Sequence, residues 1–398
     1  MQSLKDFLEE SLKKNLAQAR RMQPWNIGVE HEFFLMSSDG LPSTIEESQK
    51  FLKALSSLPS WRVFEEKNGS ITKVSKETPG KGYSQLKYDH EPHLMEISSC
   101  FFDSLDQLRL ELSLIFENIE IAAESVGVSV SMQDTLEIPS DHQRVTPQNS
   151  FYQSLREFRK DVLIYSKKQS NPKLENYAST IAATQIHISG TGFDWFNNPS
   201  LVRRLYLYEP FIQGWANLHS HSTKRWKPYA AVYDQFPLVG FPNLETWDIE
   251  HWLSALKQTP IFIPEHTGHI HTLSNKTDTK DISQLWYSIR DLQIIRPKIY
   301  GSLEFRADPA QKSIDHIMAL AALRLGICMY VQNHPKDPEF IQSLDFKGAY
   351  KLWWKQALTE KLNPHLAVLE LALRELGLQK AASNQFLIRY TERAKEAG

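Results

Sequence analysis

The stretch Gly28-Val29-Glu30-His31-Glu32-Phe33-Phe34-Leu35 decides how this chain is read, because its two acids stand two residues apart. A β-strand sends successive side chains to opposite faces. Glu30 and Glu32 therefore share one face with Phe34, while Val29, Phe33 and Leu35 line the other, and His31 is the one polar ring on the apolar side. The Phe33-Phe34-Leu35 run also points to a strand covered on both faces. Three later stretches repeat the pattern: Leu94-Met95-Glu96-Ile97-Ser98, Gln185-Ile186-His187-Ile188-Ser189 and Ser302-Leu303-Glu304-Phe305-Arg306. The simplest assembly of the four is one sheet with a carboxylate-rich face and an oily face.

Like charges crowded on such a face repel one another unless cations stand between them. Carboxylates with a single imidazole suit Mg²⁺ or Mn²⁺ better than zinc. The pattern thus implies a metal-dependent site, with Glu30, Glu32, Asp89, Glu96, His187 and Glu304 as candidate ligands. A solvated strand face for Glu30 and Glu32, a surface loop of mixed charges for Asp89 and Glu96, a core histidine for His187 and an intrasheet ion pair for Glu304 with Arg306 are the plainer readings that stay open. Gln185 is a candidate donor to a phosphate or nucleotide. Arg306, with Arg296 just upstream, has the planar guanidinium suited to bidentate phosphate recognition. Asp308 continues the alternation and is expected on the same open face.

The whole chain is 398 residues, long enough for one large domain or two. The four stretches run from Gly28 to Arg306 and must meet to form one site, so a single catalytic domain over residues 1–398 is expected. A formal net charge of −2 argues against nucleic-acid or membrane-surface binding through a basic field, and leaves a small anionic substrate open. The two cysteines, Cys100 and Cys328, sit beside apolar residues, as free thiols do in a reducing compartment. Met1 to Met22 carries Leu4, Phe7, Leu8, Leu12 and Leu16 at helical spacing among charges, an amphipathic helix without the apolar core of a secretory signal. No stretch approaches the ~18 uncharged apolar residues of a spanning helix. A cytoplasmic location is the expectation.

Helical patterns separate the strands, over Thr44 to Leu55, Ser104 to Ser125 with Ser104 as N-cap, Leu201 to Leu218 and Ile314 to Gln332, with a helical segment over 350–398. Long helices between short strands with one polar face indicate an α+β fold with an open, mainly antiparallel sheet. No glycine-rich phosphate loop follows any strand, which counts against Rossmann and P-loop nucleotide binding. The run Glu265-His266-Thr267-Gly268-His269-Ile270-His271 lacks the helical spacing of zinc enzymes and reads as a loop, and His219 with His221 is equally weak as a metal pair.

The ordered set resembles the glutamate-cysteine ligase type 2 family, carboxylate-amine ligases related to glutamine synthetase. The likeness runs from about residue 26 to about residue 335 and includes Trp286 through Arg296-Pro297 and the segment Phe236-Pro237-Leu238-Val239-Gly240-Phe241-Pro242. It implies a glutamine synthetase-like catalytic fold with helices behind the sheet, and ATP with Mg²⁺ or Mn²⁺ on the polar face. It also implies metal ligation by Glu30, Glu32, Asp89, Glu96, His187 and Glu304, and phosphate contact by Arg306. The implied reaction joins a small carboxylate, glutamate by analogy, to an amine through an acyl phosphate. A kinase on a related fold, a catalytically silent nucleotide- or metal-binding protein and a metal-dependent hydrolase are the alternatives.

Overall fold

The computed structural model describes residues 24–67, 69–89, 91–137, 180–195, 198, 200–216, 260–261, 271–272, 294–298, 301–342 and 362–376. The deciding stretch forms β1 (Asn26–Met36), an eleven-residue strand around which the sheet is organised. Along one edge it pairs antiparallel with β5 (Leu94–Ser98), setting Glu32 opposite Glu96. Its other edge is long enough for two partners. β7 (Thr184–Ser189) takes the first half, with Gly28 opposite His187 and Glu30 opposite Gln185, and β6 (Ser129–Ser131) takes the second. Beyond β7 lie β11 (Leu303–Phe305), with Glu304 opposite His187, and then β10 (Ile295–Pro297), with Arg296 opposite Glu304. Beyond β5 the sheet continues through β4 (Gly82–Tyr88), β3 (Ser70–Thr78) and β2 (Trp61–Lys67). The order is β10-β11-β7-β1-β5-β4-β3-β2 with β6 beside β1, and every pairing is antiparallel. A separate two-stranded ribbon joins β8 (Pro260–Ile261) to β9 (His271–Thr272).

One face of this sheet is oily. Ile27, Val29, Phe33, Leu35, Met95, Ile97, Ile186, Ile188, Leu303 and Phe305 are all buried there. Each such side chain stabilises the fold by roughly 1.5–3 kcal/mol. The helices covering this core are α1 (Ile45–Ser56), α2 (Leu105–Ser125), α3 (Ser200–Ala216) and α4 (Ile314–Asn333). The one-turn α5 (Glu339–Gln342) and α6 (Leu362–Glu375) follow. Thr44 and Glu47 close a reciprocal capping box that starts α1, and Ser104 and Ser313 cap α2 and α4. The expected helices are therefore present at these places. Leu218, Met1 to Met22, the rest of the 350–398 segment, His90, Trp286, the Phe236 to Pro242 segment, His219, His221, His266 and His269 lie outside the described residues.

Helix α4 is buried on nearly every side, between the sheet and neighbouring helices. It is long and apolar enough to cross a membrane, which corrects the expectation for this stretch, yet 78% of the qualifying window is buried within the fold. At its crossing with α6 a Cβ on Gly326 would stand 2.6 Å from the Ala372 carbonyl oxygen, so only glycine fits. The helix also carries Arg324 into the core, beneath Phe305 and against Asp308 and Glu209.

That pairing corrects the reading of Asp308. The strand ends at Phe305 and the chain bends to run beside the residues before β7, with Ala310 N–H donating to the Ala182 carbonyl at 3.0 Å. Alternation no longer applies there, and Asp308 accepts from Arg324 and from Gln213 inside the core rather than facing the open side. His31, the exception on the oily face, contacts Thr184 Oγ1 through Nδ1 at 2.9 Å and lies edge-on to Phe116. Burial pushes its pKa down to about 3, so the ring is neutral near pH 7.

Candidate functional site

On the opposite face β1 turns Glu30 and Glu32 toward two separate neighbourhoods. Glu30 gathers with His187 of β7 and Glu304 of β11, and Glu32 gathers with Glu96 of β5 and with Asp89, just after β4. Within each group the candidate donor atoms lie within 4.8 Å of one another, a spread that one cation can bridge. His187 Nε2 stands 3.3 Å from Glu30 Oε1 and 3.9 Å from Glu304 Oε1. All six residues singled out as candidate ligands thus fall into two groups of three, divided by the pitch of a single strand.

The oxygens of Glu32 are held from behind. Ala183 N–H donates to Oε2 at 2.7 Å, and the Gln185 side-chain amide donates to Oε1 at 3.2 Å. Gln185, read from sequence as a nucleotide contact, here orients a carboxylate. Phe34, two residues further along the same face, is buried with Leu94, Ala182 and Ala310 in a small second core. This packing closes the polar face at one end and fits the apolar run Phe33-Phe34-Leu35.

Four basic side chains stand among the acids. Arg296 Nε is 2.6 Å from Glu304 Oε2, Lys298 Nζ is 3.2 Å from the same oxygen, and Arg306 Nε is 3.8 Å from Oε1. Lys87 Nζ is 2.9 Å from Glu96 Oε1. Burial alone would raise the Glu304 pKa, but Arg296, Lys298, Arg306 and His187 together bring it down to about 2. Glu30 likewise falls well below the usual carboxylate range, as Lys298, His187 and Lys87 outweigh its burial. Glu96 goes the other way. Burial and the charges of Glu30 and Asp89 raise its pKa against the pull of Lys87.

Even so, four buried polar atoms on this face make no hydrogen bond, although two of them, His187 Nε2 and Glu304 Oε2, have charged neighbours. His187 Nε2, Gln185 Oε1, Glu304 Oε2 and Arg306 Nη1 are buried without a hydrogen-bond partner, and the Arg296 contact to Glu304 is a charge contact rather than an aligned hydrogen bond. Buried polar atoms of this kind are costly to leave unsatisfied, so their convergence marks a place for a charged guest. A donor set of carboxylate oxygens with one imidazole nitrogen fits Mg²⁺ or Mn²⁺.

Beside the Glu30 group opens a cleft of about 610 Å³ lined by Asn26, Gln85, Ser98, Tyr83, Phe101 and Lys298 among others. Phe101 forms its wall. The ring lies edge-on to His187 with centroids 6.2 Å apart, and a Cβ on Gly28 would meet its Cδ1 and Cε1 at 3.4 Å. The glycine that opens the deciding stretch therefore leaves room for an aromatic ring against the acidic face.

No protein-family model matches this chain, and no curated protein matches it in sequence. Solved structures do match. A glutamate–cysteine ligase from Francisella tularensis, in complex with AMP, superposes with a TM-score of 0.54 at 10% identity, covering 94% of this chain and 82% of that one. This chain has the glutamine synthetase-like fold of that ligase. A bifunctional glutathione synthetase from Pasteurella multocida matches at a TM-score of 0.49 and 11% identity, over 98% of this chain and 50% of that one. The chain thus spans half the length of that bifunctional enzyme.

Within the glutamine synthetase-like fold, the expected sheet with one acidic and one oily face is the one observed, and Arg296 and Arg306 both reach the acidic face. Sequence reasoning did not find Lys87 and Lys298. A signal for Lys87 existed, since Gln85 and Lys87 alternate with Leu86 and Tyr88 in the manner of the four stretches. Lys298 lies one residue past a three-residue strand, where alternation carries no information.

Proposed function

We propose that this chain is an ATP- and Mg²⁺-dependent carboxylate-amine ligase, forming an amide through an acyl phosphate and releasing ADP and phosphate. The observation that carries the reading is the pair of three-residue donor groups on one face of one sheet, with Gln185 Oε1 and Arg306 Nη1 buried beside them without a hydrogen-bond partner. Glu30, His187 and Glu304 would hold one divalent cation, and Glu32, Asp89 and Glu96 another. Cations so placed would neutralise phosphate charge during phosphoryl transfer.

The chain's own groups supply the rest. A carboxylate is a poor acyl donor near pH 7, and attack of its oxygen on the γ-phosphorus of ATP expels ADP and leaves a mixed anhydride. An amine then adds to the acyl carbon, phosphate departs, and the amine proton goes to solvent or phosphate. Neither step calls for a protein nucleophile. Arg306, with a buried Nη1 lacking a partner, is assigned to the migrating phosphoryl group, where a guanidinium holds two oxygens at once. Arg296 keeps Glu304 ionised and in place. The cleft by the Glu30 group is assigned to the nucleoside. Phe101 and Tyr83 offer aromatic faces, Asn26, Gln85 and Ser98 offer uncharged hydrogen-bonding groups, and Lys298 stands at the phosphate end.

Glutamate is the proposed acyl donor, by likeness of fold to a glutamate–cysteine ligase. A single catalytic domain and a cytoplasmic location belong to the same reading, supported by two buried cysteines that form no disulfide. The test is ADP release from Mg²⁺-ATP by purified protein, screened across pairs of acids and amines. Pyrophosphate as the product would replace this reading with adenylation, and turnover without ATP would replace it with hydrolysis.

A further inference from the structure

Gln185 and Arg306 offer an acceptor and a donor that do not meet. Phe305 of β11 lies opposite Ile186 of β7, so the next residue of each antiparallel chain brings Arg306 beside Gln185 on the acidic face. The two chains stay alongside past that point, with the Thr184 N–H donating to the Asp308 carbonyl at 3.1 Å. Yet Gln185 Oε1 and Arg306 Nη1 are both buried without a hydrogen-bond partner. The Gln185 amide cannot turn over to mend this, because its Nε2 donates to Glu32 Oε1 at 3.2 Å and an ionised carboxylate only accepts. Glu32 thereby leaves Oε1 as the open end of the amide. Gln185 also stands between the two donor groups: Glu30 of one lies opposite it across the strands, and Glu32 of the other takes its amide.

We infer that Gln185 Oε1 binds the attacking amine of the acyl acceptor and sets its nitrogen toward the acyl phosphate. The assignment rests on the ligase reading. An oxygen that only accepts repels the phosphate oxygens of ATP and the carboxylate of the donor, and takes an N–H. The cleft assigned to the nucleoside is lined by other residues, so the adenine amino group does not supply that N–H. Distance agrees. In an acyl phosphate one oxygen separates the phosphorus from the acyl carbon, and an attacking atom stands about 3–3.5 Å from its target. A phosphoryl group on Arg306 thus puts the amine one strand spacing away, about 4.8 Å, which is the step from Arg306 to Gln185. A neutral acceptor also suits the chemistry. A carboxylate there would hold the amine as an ammonium with no lone pair to give, whereas an amide oxygen orients an uncharged amine. The lone pair forms the C–N bond, the C–O bond to phosphate breaks, and the amine proton leaves with phosphate or to solvent.

Gln185→Met removes the acceptor, while the Ala183 N–H still holds Glu32 Oε2 at 2.7 Å. Three measurements on the full chain separate the roles: Mn²⁺ titration, the single-turnover burst of ADP from Mg²⁺-ATP and glutamate without amine, and the steady-state rate with hydroxylamine as acceptor. The variant should bind Mn²⁺ within about threefold of the parent and keep the parent's burst, while kcat/KM for hydroxylamine falls about tenfold or more. Unchanged kcat/KM for hydroxylamine overturns the assignment. So does Mn²⁺ binding weakened about tenfold, or a burst lost together with the amine step, either of which would make Gln185 a cation ligand or a support for Glu32. A raised KM for glutamate alone overturns it too, by giving Oε1 to the ammonium of the donor. Gln185→Asn keeps a buried amide but draws it back by one carbon, and serves the same measurements if Gln185→Met fails to fold. A parent that releases no ADP with glutamate and hydroxylamine fails the ligase reading for this donor, and the assignment falls with it. An active parent beside an unimpaired variant fails the assignment alone.

Discussion

Ala183 and Glu32 hold each other twice. The Glu32 N–H donates to the Ala183 carbonyl at 2.8 Å, and the Ala183 N–H donates to Glu32 Oε2 at 2.7 Å. A backbone clasp on both ends of one residue fixes the carboxylate before any guest arrives, which lowers the ordering cost of binding.

Glu32→Gln should keep that clasp and lose the charge. The glutamine oxygen can still accept from Ala183, but its amide then meets the Gln185 donor, so folding stability should change by about 1 kcal/mol or less. Affinity for Mn²⁺ should fall at least about tenfold, and ADP release by about a hundredfold. Paired Mn²⁺ and denaturant titrations check it, and unchanged Mn²⁺ affinity would remove Glu32 from the ligand set.

Arg306→Lys should cost far more in rate than in stability. The exchange keeps the charge beside Glu304 and loses the planar fork that holds two phosphoryl oxygens. The loss of one such contact in the transition state costs about 3 kcal/mol, roughly a hundredfold in rate. Folding should hold, because Leu303 and Phe305 remain in the core. Near-normal turnover would make Arg306 an ion-pair partner of Glu304 and nothing more.

The acidic face was legible in the sequence because alternation is a local rule: Glu30, Glu32, Glu96, His187 and Glu304 each lie inside a strand where it applies. The rule fails where strands stop. Asp308 has the right spacing from Glu304, yet β11 ends at Phe305 and the chain turns inward, so it pairs with Arg324 instead. The division of six ligands into two groups was not legible. It depends on register, which of Glu30 and Glu32 faces β7 and which faces β5, and register is set by pairings between strands distant in sequence.

Stability should fall with acid in a way that His31 governs. Its pKa is about 3 in the fold against 6.5 for an ordinary histidine. Between those values the unfolded chain takes up a proton that the folded chain refuses, so stability is full above about pH 6.5 and declines as pH drops toward 3. The decline amounts to about 2 kcal/mol between pH 8 and pH 5. His31→Leu should remove that share, so the urea midpoints of variant and parent should draw together on acidification if the variant is the weaker at pH 8. Parallel curves over this range would show that His31 does not carry the shift.

Arg324→Met should be among the most damaging changes far from the acidic face. The guanidinium is fully buried, donating to Asp308 through Nε at 3.0 Å and Nη2 at 2.6 Å, to Glu209 Oε2 through Nη2 at 3.0 Å, and to Glu209 Oε1 through Nη1. Its removal strands two carboxyl groups in a core that already raises the Glu209 pKa through burial. Breaking a buried pair in this way costs about 3–5 kcal/mol. The remedy tells the cause. Adding Glu209→Gln and Asp308→Asn to Arg324→Met takes away the uncompensated charge, and the triple variant should recover most of the lost stability by urea titration, as replacing a whole buried ionic cluster often does. A triple variant no more stable than the single one would mean that the Arg324 side chain acts through its packing under Phe305, whose ring centroid is 4.8 Å from Cζ, rather than through its charge.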